Sequence, residues 1–114
     1  MPYIKIETNT TVDKTQARDF IKKASAYIAG MLGKPEQWIM LAFHDRVSLL
    51  FNGNDKPSAY IELKSIGLME SSCAVLSEKI CDFITGELGI PPERIYIEFW
   101  NINGKMFGWN RTTF

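Results

Sequence analysis

The chain has 114 residues, enough for one domain with a single core, 46% of them hydrophobic and 23% charged, the proportions of a folded globular protein. Lys plus Arg balances Asp plus Glu at 13 each, which leaves no electrostatic footprint for nucleic acid or an anionic membrane surface. No apolar run reaches the ~18 residues of a membrane span, and the N-terminus lacks the layout of a secretory signal, so cytoplasmic residence is the expectation, with non-classical secretion left open.

The first seven residues, Met1-Pro2-Tyr3-Ile4-Lys5-Ile6-Glu7, alternate apolar and polar side chains as a strand does. Methionine aminopeptidases remove Met1 when the next side chain is as small as proline. Removal leaves Pro2 with a free secondary amine at the head of a strand. An α-amine titrates at about 7.7–8.0, and desolvation lowers that by disfavouring the cation. Asp13 with Gln16 three positions on makes a capping-box-like start. Ala17, Phe20, Ile21, Ala24, Ile28, Met31 and Leu32 then recur at helical spacing. Gly33 and Pro35 stop that helix. Trp38 to Phe43 reads as a strand buried on both faces, Val47 to Phe51 as another short strand, and Asn52 to Pro57 as a turn and loop.

Ala59 to Ile66 returns to strand character, and Gly67 ends it. Glu70, Ser71 and Ser72 open a second helix with the stripe Cys73, Leu76, Ile80, Phe83, Ile84 and Leu88. Gly89 and Pro91-Pro92 close it. Cys73 and Cys81 lie on that one helix, separated by ~12 Å of rise, too far for a disulfide, and read as small buried hydrophobes. Ile95 to Trp100 is a strand, Asn103-Gly104 a turn, Met106 to Trp109 a short final strand and Asn110 to Phe114 a tail.

The halves repeat. Pro2-Tyr3-Ile4-Lys5-Ile6 lines up with Ala59-Tyr60-Ile61-Glu62-Leu63, and Leu32-Gly33-Lys34-Pro35 with Leu88-Gly89-Ile90-Pro91 at nearly the same offset. Two β-α-β units imply an α+β fold: one four-stranded mixed sheet with both helices on one face. The other face, expected to carry Ile39, Leu41 and their neighbours, would then need covering, which points to a closed homo-oligomer.

Five segments give the chain a family likeness: the Pro2 start, Gly33-Lys34-Pro35-Glu36-Gln37-Trp38-Ile39, Ser65-Ile66-Gly67, Pro92-Glu93-Arg94-Ile95-Tyr96-Ile97, and Gly108-Trp109-Asn110-Arg111-Thr112-Thr113-Phe114. In this order, from Pro2 to Phe114, they resemble the macrophage migration inhibitory factor group of the tautomerase superfamily. The resemblance implies a single domain, a homotrimer whose sheets form a barrel-like core, active sites at subunit interfaces, and keto–enol tautomerisation of phenylpyruvate-type 2-keto acids. It implies Pro2 as the catalytic base and Lys34 as the ligand of the substrate carboxylate. It also implies a substrate contact from the Ile66 backbone N–H, Tyr96 reaching the neighbouring subunit's site, and a pocket lining of Trp38, Phe107, Trp109 and Phe114. No metal or organic cofactor is implied.

The physical chemistry is compatible with those roles. Proton transfer between carbon and oxygen needs a base of moderate pKa, and proline's ring holds its nitrogen in a fixed direction. Ala59, at the matching place in the second half, cannot supply a terminal amine. Three positions depart from the family. Pro57 to Ile61 covers the stretch where animal cytokines of the group carry a CxxC, which argues against thiol-redox activity. Glu98 stands for an asparagine common near the site, where a carboxylate would raise the amine's pKa and repel an anionic substrate. Leu68 stands where some members have lysine. A cytokine-like receptor-binding protein with weak or vestigial activity is the alternative.

Overall fold

The computed structural model describes all residues, 1–114. Strand β1 (Tyr3–Thr8) leads to helix α1 (Lys14–Leu32) and, past a 3-10 turn at Glu36–Trp38, to β2 (Met40–His44). The second unit follows the same order: β3 (Ala59–Ile66), α2 (Glu70–Leu88), a 3-10 turn at Pro92–Arg94, and β4 (Ile95–Ile102). Each helix ends on a left-handed glycine, Gly33 at φ 64° and Gly89 at φ 70°, a conformation that costs glycine nothing. In each case a proline next caps the 3-10 turn. The duplication read from the sequence is therefore structural. It includes the two 3-10 turns, which the apolar run through Trp38 had concealed.

The sheet order is β2-β1-β3-β4, with the central pair β1–β3 antiparallel and both outer pairs parallel. Register sorts the side chains by face. Ile4 lies opposite Leu41 and Leu63, Ile6 opposite Phe43 and Ile61, and Ile61 and Leu63 opposite Ile97 and Phe99. All these residues, with Phe20, Ala24 and Ile28 of α1 and Leu76, Ile80 and Ile84 of α2, form one core. Both helices thus cover the same face.

The other face departs from expectation. Leu41 packs into the core, and so does Ile39, just ahead of β2. The open face carries Tyr3, Lys5, Glu7, Tyr60, Glu62, Lys64, Tyr96, Glu98 and Trp100, the alternate residues of β1, β3 and β4. It is charged and aromatic rather than aliphatic.

Other expectations are corrected too. β2 begins at Met40, not Trp38, and neither of its ends is buried. Residues 47–50 form no strand; Phe51 only bridges back to Asn54. Cys73 and Cys81 are partly exposed, because they flank rather than centre the buried stripe of α2. Ile21 is likewise exposed. Asn103 caps a third 3-10 turn, Gly104–Met106, rather than turning a hairpin. The hairpin comes later: β5 (Gly108–Trp109) pairs with β6 (Thr112–Thr113) through Asn110 and Arg111, both at positive φ. The expected tail is thus a folded ribbon, and the Phe114 amide donates to the carbonyls of Gly104 and Phe107 at 3.1 and 3.2 Å.

The loop between the repeats is held by a buried cation. Arg94 donates through Nε to the Pro57 carbonyl (2.9 Å), through Nη1 to Phe51 (3.2 Å), and through Nη2 to Asn54 and Lys56 (3.3 and 2.9 Å). Its guanidinium also lies 5.2 Å from the Phe51 ring centroid. Arg94→Ala strands these carbonyls and is expected to cost about 2–4 kcal/mol in denaturant unfolding, with Arg94→Lys recovering little because an ammonium lacks the planar fork. Asp13, whose Oδ1 accepts from the Gln16 amide at 2.8 Å, caps α1, so Asp13→Ala is expected to cost about 1 kcal/mol in the same measurement.

Candidate functional site

Pro2 ends the edge of the β1 pleat. Its side chain is fully buried, and its carbonyl accepts from the Met40 amide at 3.1 Å, which ties the head of β1 to the head of β2. Immediately outside it lies a cavity of about 380 Å³, the size of a small-ligand site. Met1, Pro2 and Tyr3 form one side. Trp38, Ile39 and Met40 form the second, while Phe107, Trp109 and Phe114 close it from the C-terminal ribbon; Gln37, Lys64, Ile102 and Gly108 complete the wall.

The aromatic rings brace one another. Trp38 meets Trp109 edge-on at 4.9 Å between centroids and Phe114 at 5.9 Å, while Phe107 meets Phe114 at 5.8 Å. These are favourable T-shaped spacings, so the wall is a preformed apolar surface rather than a set of loose side chains. The ribbon can lie this close because Gly104 has no side chain: a Cβ there would stand 3.3 Å from the Phe114 carbonyl oxygen.

Lys34 follows the left-handed Gly33 and turns its ammonium toward β3, donating to Ser65 Oγ at 2.9 Å and to the Ile66 carbonyl at 2.7 Å. It lines a smaller, separate pocket of about 150 Å³ rather than the main cavity. It nevertheless acts on the chain terminus. The Met1 amine titrates below its ordinary 8.0, first because burial penalises the cation, then because the Lys34 charge and hydrogen bond oppose protonation.

The chain thus gathers Pro2, Trp38, Phe107, Trp109 and Phe114 around one cavity, with Lys34 and Ile66 joined beside it. Tyr96 and Glu98 are not part of it. Tyr96 is 61% exposed and packs on Phe51, ring centroids 5.1 Å apart. Glu98 accepts from the Tyr60 hydroxyl at 2.8 Å, a bond that also raises the pKa of that phenol. Within one chain the Glu98 carboxylate therefore has a partner of its own and does not face Pro2.

Sequence reasoning missed Lys64, Tyr3, Gln37, Ile39, Met40 and Ile102 as wall residues. The signal for Lys64 was present in part: strand alternation sets it on the face opposite Ser65, and the antiparallel register, which starts at Tyr3, places it beside that residue.

Comparison with known proteins agrees with this architecture. The family model described as macrophage migration inhibitory factor matches residues 1–114. A macrophage migration inhibitory factor homolog of Trichinella spiralis is 37% identical over the whole of both chains. D-dopachrome decarboxylase of Gallus gallus is 32% identical, covering 98% of this chain and 96% of that protein. The crystal structure of a macrophage migration inhibitory factor homologue from Prochlorococcus marinus superposes with a TM-score of 0.91 at 37% identity, over 98% of each chain. With its duplicated β-α-β unit and full-length match, the chain belongs to the macrophage migration inhibitory factor family.

Proposed function

We propose that this protein is a cofactor-independent keto–enol tautomerase of phenylpyruvate-type 2-keto acids, with the amine of Pro2 as its base once Met1 has been removed. The observation that carries this reading is the apolar, aromatic-walled cavity at the chain's N-terminus, with a lysine cation beside the terminal amine.

While Met1 is attached, the Pro2 nitrogen is an amide without useful basicity. Removal moves the amine one residue inward, to a position already buried and pinned by the Met40 amide. The influences that lower the Met1 amine, desolvation and the Lys34 charge, then act on Pro2 and keep a larger neutral fraction near neutral pH. The substrate's phenyl ring stacks against Trp38, Trp109 and Phe114, and its carboxylate meets Lys34. In ketonisation Pro2 takes the proton of the enol hydroxyl. The O–H bonding pair becomes the new C=O bond, and the former C=C pair takes the proton back from the Pro2 cation at carbon. The product is an isomer, and the amine returns to its neutral state.

The assembly we propose is a homotrimer. Exposed Leu50, Tyr96 and Trp100 are large apolar side chains that a neighbouring copy would cover, and such a copy could present its Tyr96 and Glu98 to this cavity. Tyr96 would then donate its hydroxyl to substrate oxygen, and the Ile66 backbone N–H would be a further donor.

Mass spectrometry of active protein is expected to show loss of Met1. Pro2→Gly, or a form that retains Met1, should lose at least about a hundredfold in phenylpyruvate turnover, the usual worth of a positioned base. Processed, trimeric protein that is inert toward phenylpyruvate and related keto acids overturns the enzymatic reading in favour of receptor binding.

The pH profile gives a second test. The active base is neutral, so kcat/KM should rise with pH along a limb that burial and the Lys34 charge hold below that of a solvent-exposed N-terminal proline amine. Lys34→Ala removes a charge that lowers this pKa and should move the limb upward while raising KM. Glu98→Gln should move it downward if a neighbouring chain brings that carboxylate to the amine.

A further inference from the structure

One charged side chain stands on the cavity wall: Lys64. Its situation differs from that of Lys34. Two of the three Lys34 ammonium donors are taken by Ser65 Oγ and the Ile66 carbonyl at 2.9 and 2.7 Å. Lys64 has no hydrogen-bond acceptor in the chain. Its nearest carboxylate, Glu62, is 3.9 Å away, and both side chains remain solvent-accessible, so that pairing is weak. Its ammonium lies 5.9 Å from the Trp100 ring centroid, a contact that orients a cation without neutralising it.

The placement of the two lysines follows from the pleat. Lys34 reaches Ser65, which is buried on the helix side of β3. Lys64 precedes Ser65, projects from the opposite side, and is registered between Tyr3 and Trp100. The two cations therefore approach the head of β1 from opposite faces of the sheet. A monoanion can satisfy one of them.

We propose that Lys64 is a second anion-binding group of this site, and that the protein selects dianionic ligands, namely 2-keto acids carrying a second carboxylate. An apolar wall with one under-partnered cation accepts an aromatic or short aliphatic body whose far end is negative. As a claim about substrates this rests on the tautomerase reading; as a claim about binding it does not.

The test uses terephthalate and benzoate, unreactive rings that differ by one carboxylate, titrated into the processed protein and followed by calorimetry or by the fluorescence of Trp38 and Trp109 in the wall. Terephthalate is expected to bind about tenfold more tightly at low ionic strength, the effect of one charge-assisted contact. Lys64→Met should bring the ratio close to one, and Lys64→Arg should preserve the preference. Equal affinities in the unmodified protein, as would follow if a neighbouring chain's carboxylate occupies Lys64, overturn the proposal. So does a preference that survives Lys64→Met. In turnover, the kcat/KM ratio of 4-carboxyphenylpyruvate to phenylpyruvate should fall in the same variant. A protein that turns over neither acid but keeps the Lys64-dependent binding ratio refutes the tautomerase reading and leaves the anion site standing.

Discussion

The structure depends on the register of the central antiparallel pair. Ile4 and Ile6 of β1 face Leu63 and Ile61 of β3, and none of the four is more than 3% exposed. Each such side chain contributes about 1.5–3 kcal/mol by leaving water. A slip of one residue would exchange them for Tyr3, Lys5, Glu62 and Lys64, burying charge and exposing aliphatic surface. The same register decides the site. It brings Pro2 to the end of the sheet, Lys64 beside Tyr3, and Ser65 to the helix side, where it receives Lys34. Core packing and functional geometry are set by one alignment of two strands.

Duplication supplies the scaffold, and divergence at equivalent places gives the two halves different surroundings. Trp38 and Arg94 are both the last residue of a 3-10 turn leading into an outer strand. Trp38 became an aromatic wall of the cavity. Arg94 became a buried cation satisfied by four carbonyls, which fixes the connection between the repeats and, through Phe51, the surface on which Tyr96 rests. The starts of β1 and β3 differ as well: Pro2 stands where the second half has Ala59.

The environment of the N-terminal amine balances opposing demands. Burial and the Lys34 ammonium both disfavour protonation of the Met1 amine; in the function proposed above, where Pro2 carries the amine, the same influences would suit a base and an anionic ligand. A carboxylate close to the amine would work against both. The Glu98 carboxylate is engaged by Tyr60 on the open face and, within one chain, does not do so.

The sequence by itself determined the repeat, the two helices with their glycine stops, the four strands, and Pro2 as a residue unlike its counterpart Ala59. These are local signals: side-chain period, capping chemistry and the φ freedom of glycine. It also marked Trp38, Phe107, Trp109 and Phe114, though by family resemblance rather than by pattern. Tertiary structure decided the rest. Residues 47–50 have strand-forming side chains but form no ladder: a single bond, from the Val47 amide to the Thr8 carbonyl at 2.9 Å, ties them to β1. Asn110 to Phe114 looked like a tail because hydrogen bonds to Gly104 and Phe107, distant in pattern though near in space, cannot be read from composition. The open face proved charged because Leu41 and Phe43 turn toward the helices, which only the pairing with Ile4 and Ile6 could establish. Lys64 lies on the cavity wall for the same reason: alternation gave its face, and only the register gave its neighbour.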